Sequence, residues 1–248
     1  MNRILLFLFA SICITCIQSE PEQETQAAQD IIDSAIAAHG GEAYDSLRVA
    51  YSFRDKDYTI VINGGNYEYT RSYRDSTGSY YDVLNNNGFQ RTKDGEIQDL
   101  SEKDVRRYGN SLNSVTYFTL LPRGLNDPAV NKEMMSPDTI NSVPYYVIKV
   151  TFDQEGGGED FEDEYRYWIH KENRTIDFLA YNFHVNNGGV RFREAKEPTV
   201  FAGVRFQNYI NYKPEDKDTP LAELPKLFEE GKLNSLSEIN NEDIRRVD

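Results

Sequence analysis

Five segments between residues 145 and 212 constrain the fold of this chain more than any other feature of the sequence. Apolar and polar side chains alternate along them, as in β-strands that bury one face. In the first segment, Tyr146, Ile148 and Val150 share one side while Lys149 points to the other. Short joints rich in glycine or charge separate the segments, with the sequences QEGGGED, HKENR, NNGG and KEP. Strands this close in sequence pair as antiparallel neighbours, so we predict a meander.

Five shorter strand-like segments precede this stretch, and their turns carry the glycine and asparagine that tight turns prefer. They cover residues 48–54, 58–62, 67–73, 80–84 and 89–93. The chain also contains 17 tyrosines and 13 phenylalanines, and aromatic side chains suit the pleated, half-buried surface of a sheet. We therefore expect these segments to continue the same sheet.

Two stretches change from strand spacing to helical spacing. Residues 27–39 place alanine and isoleucine on one helical stripe, which two glycines end. Residues 101–119 form a second stripe behind a serine N-cap, and an Asp-Pro pair then predicts a short further helix through Lys132. Residues 101–132 together are expected to cover the sheet. They either close the core or act as a mobile lid over a ligand cavity.

The length of 248 residues suits one β domain of about 220 residues after export processing. Residues 221–230 predict a short amphipathic helix, and the polar tail to Asp248 is expected to pack outside the sheet. The predicted fold class is mainly β (α+β). It is an antiparallel curved sheet or unclosed half-barrel with an N-terminal helix and a few covering helices.

The N-terminus carries an export signal. Residues 1–15 contain one arginine followed by an apolar run too short to span a membrane, which is typical of a signal peptide. The sequence CITC then resembles a bacterial lipobox, so we expect Cys16 to be acylated, with soluble periplasmic release or an uncleaved anchor as the alternatives. Residues 16–26 are polar and predict a disordered tether, which leaves residues 27–248 as a single β-rich domain.

Two resemblances extend this interpretation. The sequence AHGGEAYDSL at residues 38–47, running from helix into strand, resembles the start of LolA/LolB-like lipoprotein-carrier folds. That resemblance implies a sheet curled into a half-barrel around helices, with an interior that takes acyl chains. Residues 113–132, 150–169 and 177–195 resemble an uncharacterised family of exported Bacteroidota lipoproteins. This likeness covers nearly all of the mature chain and implies export and fold, without catalytic residues.

The charge balance excludes one class of partner. A formal net charge of -14 would repel nucleic acid, whose binding requires lysine and arginine to neutralise phosphates. Acidic side chains also cluster around three consecutive glycines, and Glu159, Asp160 and Asp163 are the candidate metal ligands among them. Such oxygen ligands could hold Ca²⁺, although their spacing matches no EF-hand, and a solvated hairpin tip is the alternative.

The three histidines, His39, His170 and His184, lack the spacing of metal ligands. The sequence contains no GxSxG elbow and no phosphate-binding loop. His184 could act as a general base with Glu194 or Asp177, as in a hydrolase-like enzyme, or could be a hydrogen-bonded structural histidine.

Arginines interleave with aromatic residues along the strands from residue 145 to residue 212. Guanidinium groups could hold a carboxylate or a lipid headgroup while aromatic rings pack on an apolar body. The residues predicted to bind a ligand are Arg166, Tyr167, Trp168, His184, Arg191, Arg193 and Arg205. The alternative is cross-strand pairing with glutamate on a solvated face, and the sequence leaves the face open.

These features predict a cell-envelope lipoprotein of the outer membrane, facing the periplasm or exposed on the surface. Its expected role is non-catalytic binding of a hydrophobic or amphipathic ligand, such as a lipid or an acyl group. The alternatives are a scaffold lipoprotein with a filled core and the hydrolase-like enzyme. We expect a monomer without cofactor, whose partners are the membrane, through its acyl chains, and the bound ligand.

Overall fold

The computed structural model describes residues 20–155, 161–184 and 187–247. Within them, the helices are α1 (Glu20–His39), α2 (Glu102–Thr119) and α3 (Leu224–Glu229), with 3-10 turns at Gly41–Ser46, Arg123–Asn126 and Leu221–Glu223. The strands of the first half are β1 (Arg48–Phe53), β2 (Lys56–Asn63), β3 (Asn66–Asp75), β4 (Gly78–Asn85), β5 (Gly88–Lys93) and β6 (Glu96–Ile97). Those of the second half are β7 (Val130–Ile140), β8 (Val143–Phe152), β9 (Tyr165–His170), β10 (Ile176–Phe183), β11 (Gly189–Phe201), β12 (Val204–Lys213), β13 (Asn234–Ile239) and β14 (Glu242–Arg246).

The strands form two seven-stranded antiparallel sheets instead of one continuous sheet. Sheet I has the order β14-β1-β2-β3-β4-β5-β6, and sheet II has the order β13-β12-β11-β10-β9-β8-β7. Both are meanders extended by one strand from the C-terminus. The prediction of a mainly β fold with an N-terminal helix and an unclosed antiparallel sheet is confirmed.

Sheet II buries side chains on both of its faces. Leu179 lies opposite Tyr167 and Arg193, and this face packs against Ile32 of α1. Phe178, on the other face, lies opposite Trp168. That second face packs beneath α3. Burial on both faces explains why these strands carry apolar residues at consecutive positions.

A third buried cluster joins the two sheets. Val204 and Phe206 of β12 pack with Tyr51 and Ile60 of sheet I and with Leu112 of α2. All five side chains are almost completely buried. Strand β12 and helix α2 therefore hold the sheets together.

The structure corrects further expectations. Helix α1 begins at Glu20, so the part of the expected tether that the structure describes is helical. The short helix predicted through Lys132 is wrong, because a 3-10 turn ends at Asn126 and β7 begins at Val130. The polar C-terminal tail forms the strands β13 and β14, whose backbone groups pair with sheet edges.

Candidate functional site

A cleft with a volume of about 250 Å³ lies between α2, the end of β1 and the face of sheet II that packs against α1. It is lined by Phe53, Arg54, Ser114, Val115, Phe118, Thr119, Arg193, Tyr209, Asn211, Ser237, Ile239 and Asn241. Engineered apolar cavities of about 150 Å³ already hold a benzene molecule. The cleft therefore has room for a small aromatic molecule or one short alkyl chain.

Helix α2 supplies one wall. It begins at Ser101, whose hydroxyl accepts a hydrogen bond from the Asp104 amide at 3.2 Å, as the sequence predicts. Ser114 and Phe118 face the cleft one helical turn apart. Thr119 Oγ1 donates to the Tyr51 hydroxyl at 3.2 Å, which ties the end of the helix to sheet I. The predicted cover thus both closes a core and borders a cavity.

The floor of the cleft is a polar row across three strands of sheet II. Arg193 of β11 lies opposite Asn211 of β12, which lies opposite Ser237 of β13. Directly opposed side chains on one face are separated by only about 5 Å between Cβ atoms. Antiparallel register therefore gathers polar groups from three distant parts of the sequence.

Arg193 is a buried cation that has no anionic partner among the described residues. Its exposed fraction is 8%, and its guanidinium carbon lies 4.1 Å from the centre of the Phe118 ring. Nη2 donates to the Tyr181 hydroxyl at 2.8 Å, whereas Nε is buried and has no hydrogen-bond partner in the part of the chain that the structure describes. A buried charge without a counter-ion is costly, and an anion in the cleft would relieve that cost.

Asn211 adds a second unsatisfied group. Its Nδ2 lies 3.4 Å from Ser237 Oγ, and its Oδ1 is buried with no hydrogen-bond partner among residues 20–155, 161–184 and 187–247. The amide can also be turned around to exchange donor and acceptor. Beside it, burial raises the pKa of Tyr209, so this phenol stays neutral and accepts a hydrogen bond from Gln207 at 3.1 Å. The floor thus offers hydrogen bonds that the protein itself does not use.

A family model described as a family of unknown function, DUF6503, matches residues 3–241. The chain belongs to this family. No curated protein sequence matches it at a significant level.

The DUF6503 chain has the fold of LolA-like proteins. A LolA superfamily protein from Nitrosomonas europaea matches with a TM-score of 0.50 and 12% identity over 89% of this chain and 94% of the other. A DUF1329 family protein from Desulfovibrio piger matches with a TM-score of 0.48 and 7% identity, covering 88% and 92%. A domain named as an outer membrane lipoprotein-sorting protein from Vibrio parahaemolyticus gives 0.48 and 6%, covering 90% and 93%. The likeness to the first confirms the expected LolA-like fold.

Only Arg193, of the seven residues predicted to bind a ligand, lines the cleft. Tyr167 and Trp168 are adjacent in β9 and therefore lie in cores on opposite faces of sheet II. The Trp168 indole donates to Asp138 at 3.0 Å. Arg166 shares the face of Trp168, where its Nε donates to Glu164 at 2.9 Å.

The two remaining arginines have local partners. Arg191 Nη1 donates to the Val190 carbonyl at 2.9 Å, and its guanidinium carbon lies 4.6 Å from the centre of the Phe183 ring. Arg205 Nε donates to the Gln207 side chain at 2.8 Å. The structure does not bring these arginines together with Arg193, so the predicted set does not form one site.

His184 lies at a separate polar depression of about 560 Å³. Its Nδ1 is 3.0 Å from the Oδ1 of Asp163, a buried carboxylate. Neither expected carboxylate partner takes this place. Glu194 accepts from the Tyr212 hydroxyl at 3.0 Å, and Asp177 accepts from Thr175 at 2.7 Å.

The predicted Ca²⁺ ligands are only partly described. Glu159 and Asp160 lie outside the described residues, and Asp163 contacts His184. In residues 20–155, 161–184 and 187–247, no cluster of three metal-ligating side chains occurs.

The predicted signal peptide and Cys16 lie outside the described residues. Within the part of the chain that the structure describes, no helix has the length and hydropathy needed to cross a membrane.

Sequence reasoning missed most of the cleft. The helical stripe of α2 includes Val115 and Thr119, but Ser114 and Phe118 lie beside it. Alternation along β12 also puts Tyr209 and Asn211 on one face. The signal was therefore present within each element, and the missing information was which faces meet.

Proposed function

We propose that this protein binds a hydrophobic or amphipathic ligand, such as a lipid or an acyl group, in the cleft between α2 and sheet II. The observation that carries the proposal is the cleft itself, about 250 Å³ in volume and walled by Phe53, Val115, Phe118 and Ile239. Apolar walls with a few converging polar groups are typical of small-molecule binding sites. A scaffold protein with a filled core would lack such a space.

The fold supports the same role. The structural neighbours include a LolA superfamily protein. We infer by analogy a lipid-carrier-like role in the cell envelope. The cleft is small, so the inferred cargo is one short alkyl chain or the end of a longer one.

We further propose that Cys16 is acylated after removal of residues 1–15 and anchors residues 27–248 to the outer membrane of a Bacteroidota-type bacterium. Two or three acyl chains would suffice, because each buried CH₂ contributes about 0.8 kcal/mol. Metabolic labelling with palmitate tests this anchor. Labelling should require Cys16, and labelling that persists in the Cys16→Ser variant would refute it.

Ligand binding is tested with a neutral fluorescent probe, N-phenyl-1-naphthylamine, whose emission rises in apolar surroundings. Ser114→Trp would fill the cleft from the α2 side, because Ser114 is half-buried and lines it. Steric exclusion should weaken probe binding by roughly tenfold or more, which corresponds to at least about 1.4 kcal/mol.

The matched control is Asn113→Trp. Asn113 is the preceding residue of α2 and is exposed, so the same new side chain projects into solvent. This variant should bind the probe as the unmodified protein does. Equal binding by both tryptophan variants, or no binding by the unmodified protein, would contradict the proposed function.

A further inference from the structure

The ligand-facing surface of the cleft is positively charged, although the chain as a whole carries a net charge of -14. The described residues that line it include Arg54 and Arg193 but no aspartate or glutamate. A cleft with one sign of charge and apolar walls concentrates the field of those charges. This composition favours anions over neutral and cationic molecules.

The two arginines occupy different environments. Arg54 is exposed and therefore lies at the mouth of the cleft, where water screens its charge. Arg193 has an exposed fraction of only 8%, and its Nε has no hydrogen-bond partner among the residues that the structure describes. A buried donor on a charged group gains more from a new partner than an exposed one does. The inner arginine is thus the stronger site for an anion.

The surroundings of Arg193 leave it available to a ligand. Its planar group rests on the Phe118 ring at 4.1 Å, and the Tyr181 hydroxyl satisfies one Nη. Asn211 lies directly opposite on β12, and its unpartnered Oδ1 is an acceptor, so this amide offers an anion a donor when it is turned around to present Nδ2 there. The side chain is held in position, and its Nε remains unpaired.

From this arrangement we infer that the ligand is a single-chain amphiphile with an anionic head, which accepts hydrogen bonds from Arg193 and from the amide nitrogen of Asn211 while its chain lies along Phe118 and Val115. This inference rests on the proposed function and adds the chemical class of the ligand. The shared chemistry is an oxyanion on an alkyl chain. A fatty-acid carboxylate and a phosphate-bearing lipid head are its two possible sources.

Displacement of N-phenyl-1-naphthylamine by four ten-carbon molecules tests the inference. Decanoate and decyl phosphate carry the two anionic heads, decanol is neutral and decylamine is cationic at pH 7. At least one anion should displace the probe at roughly ten- to a hundredfold lower concentration than decanol, the range expected for a hydrogen bond to a charged group. Stronger displacement by decanoate or by decyl phosphate identifies the source of the oxyanion.

Arg193→Met removes the charge and keeps a flexible stem over Phe118, so it should abolish the preference for anions while decanol still displaces the probe. Arg54→Gln is the matched control, because a screened charge at the mouth should alter the preference by less than about threefold. The thermal midpoint of ligand-free Arg193→Met should equal or exceed that of the unmodified protein, because an unpaired buried charge is removed.

Several results would overturn the inference. If decanol displaces the probe at concentrations as low as those of both anions, the proposed function stands but an anionic head on the ligand is ruled out. An anion preference that survives in Arg193→Met, or that is lost only in Arg54→Gln, would place the head elsewhere. If the probe binds and neither anion displaces it, the inference also fails. A probe that does not bind at all would defeat the proposed function as well.

Discussion

Three charged side chains on neighbouring strands of sheet I are buried together between the sheet and α2. Register places Arg71 of β3 opposite Asp82 of β4, and Asp82 opposite Arg91 of β5. Asp82 is completely buried and accepts from Arg71 Nη2 at 2.6 Å and from Arg91 Nε at 2.6 Å. The guanidinium carbon of Arg91 also lies 3.6 Å from the centre of the Tyr108 ring. One carboxylate thus compensates two buried cations.

Asp82→Asn removes this shared counter-charge with little change in volume. Because both guanidinium groups would remain buried, we expect the free energy of unfolding to fall by about 3–5 kcal/mol, measured by urea titration. Ser111→Ala is the control, since it removes only the neutral acceptor of Arg71 Nη1 and, because Ser111 is exposed and water can replace it, should cost about 0.5–1.5 kcal/mol. A cost for Asp82→Asn no larger than that of the control would show that the pairing is not needed.

His39 contributes a buried base at the end of α1. Its Nε2 accepts a hydrogen bond from the Ile176 amide at 3.1 Å and thereby joins the helix to sheet II. Burial, and then the charge of Arg205, lowers the pKa of His39 from 6.5 to about 3. The folded state therefore holds a neutral imidazole that the unfolded chain would protonate below pH 6.5.

Stability should accordingly depend on pH in this window. The unfolded state binds the extra proton between about pH 6.5 and about pH 3, so the contribution of His39 is complete above pH 6.5 and is lost as pH falls. The loss amounts to roughly 1.4 kcal/mol per pH unit. We expect His39→Gln, which keeps an acceptor but does not titrate, to lack this component in urea unfolding between pH 7 and pH 4. Parallel pH profiles for the two proteins would contradict the assignment.

The C-terminal strands show what sequence pattern misses at the level of elements. Strands β13 and β14 are mostly exposed, and they lack the apolar alternation that identifies the central strands. Backbone pairing with β12 and β1 stabilises them instead, and such pairing leaves little trace in composition. The same reason explains the missed β7, an edge strand of sheet II.

Truncation distinguishes the roles of these two strands. Deleting residues 242–248 removes β14 and leaves β1 as the edge of sheet I. We expect a loss on the order of 1–3 kcal/mol, from a few backbone hydrogen bonds, with faster amide exchange confined to β1. Probe binding should be unchanged because β13 remains.

Deleting residues 234–248 also removes β13 and with it the cleft residues Ser237 and Ile239. This longer truncation should weaken binding of N-phenyl-1-naphthylamine, as measured by fluorescence titration. Equal probe binding by the two truncated proteins would show that β13 is not a wall of the site.

Helices and central strands were predictable because each follows a local rule. Helix α2 begins at its predicted serine cap, and β8, β9 and β10 lie at predicted strand segments. The joint KEP predicted at residues 196–198 is wrong, because β11 runs through it and the turn to β12 falls at residues 202–203. The face on which each arginine lies was not predictable. The register of β11 shifts between Lys196 and Thr199, and such a shift is a property of the paired strands rather than of either sequence.

Across the whole molecule, the candidate site depends on how two sheets and one helix meet. Phe53 belongs to sheet I, Phe118 to α2 and Asn211 to sheet II, so no single segment of the chain contains the cleft. The family resemblance gave the expected fold, whereas only the structure distinguishes Arg193 from the other arginines. Net charge points away from anionic partners, and the local charge of the cleft points toward them.

Native mass spectrometry of residues 20–248, purified from a bacterial host without detergent, tests ligand binding most directly. The unmodified protein and Asn113→Trp should each carry one co-purifying amphiphile, identified after organic extraction, and Ser114→Trp should carry none. A bare mass for the unmodified protein that persists after incubation with decanoate and with total bacterial lipid would contradict a binding role for the cleft.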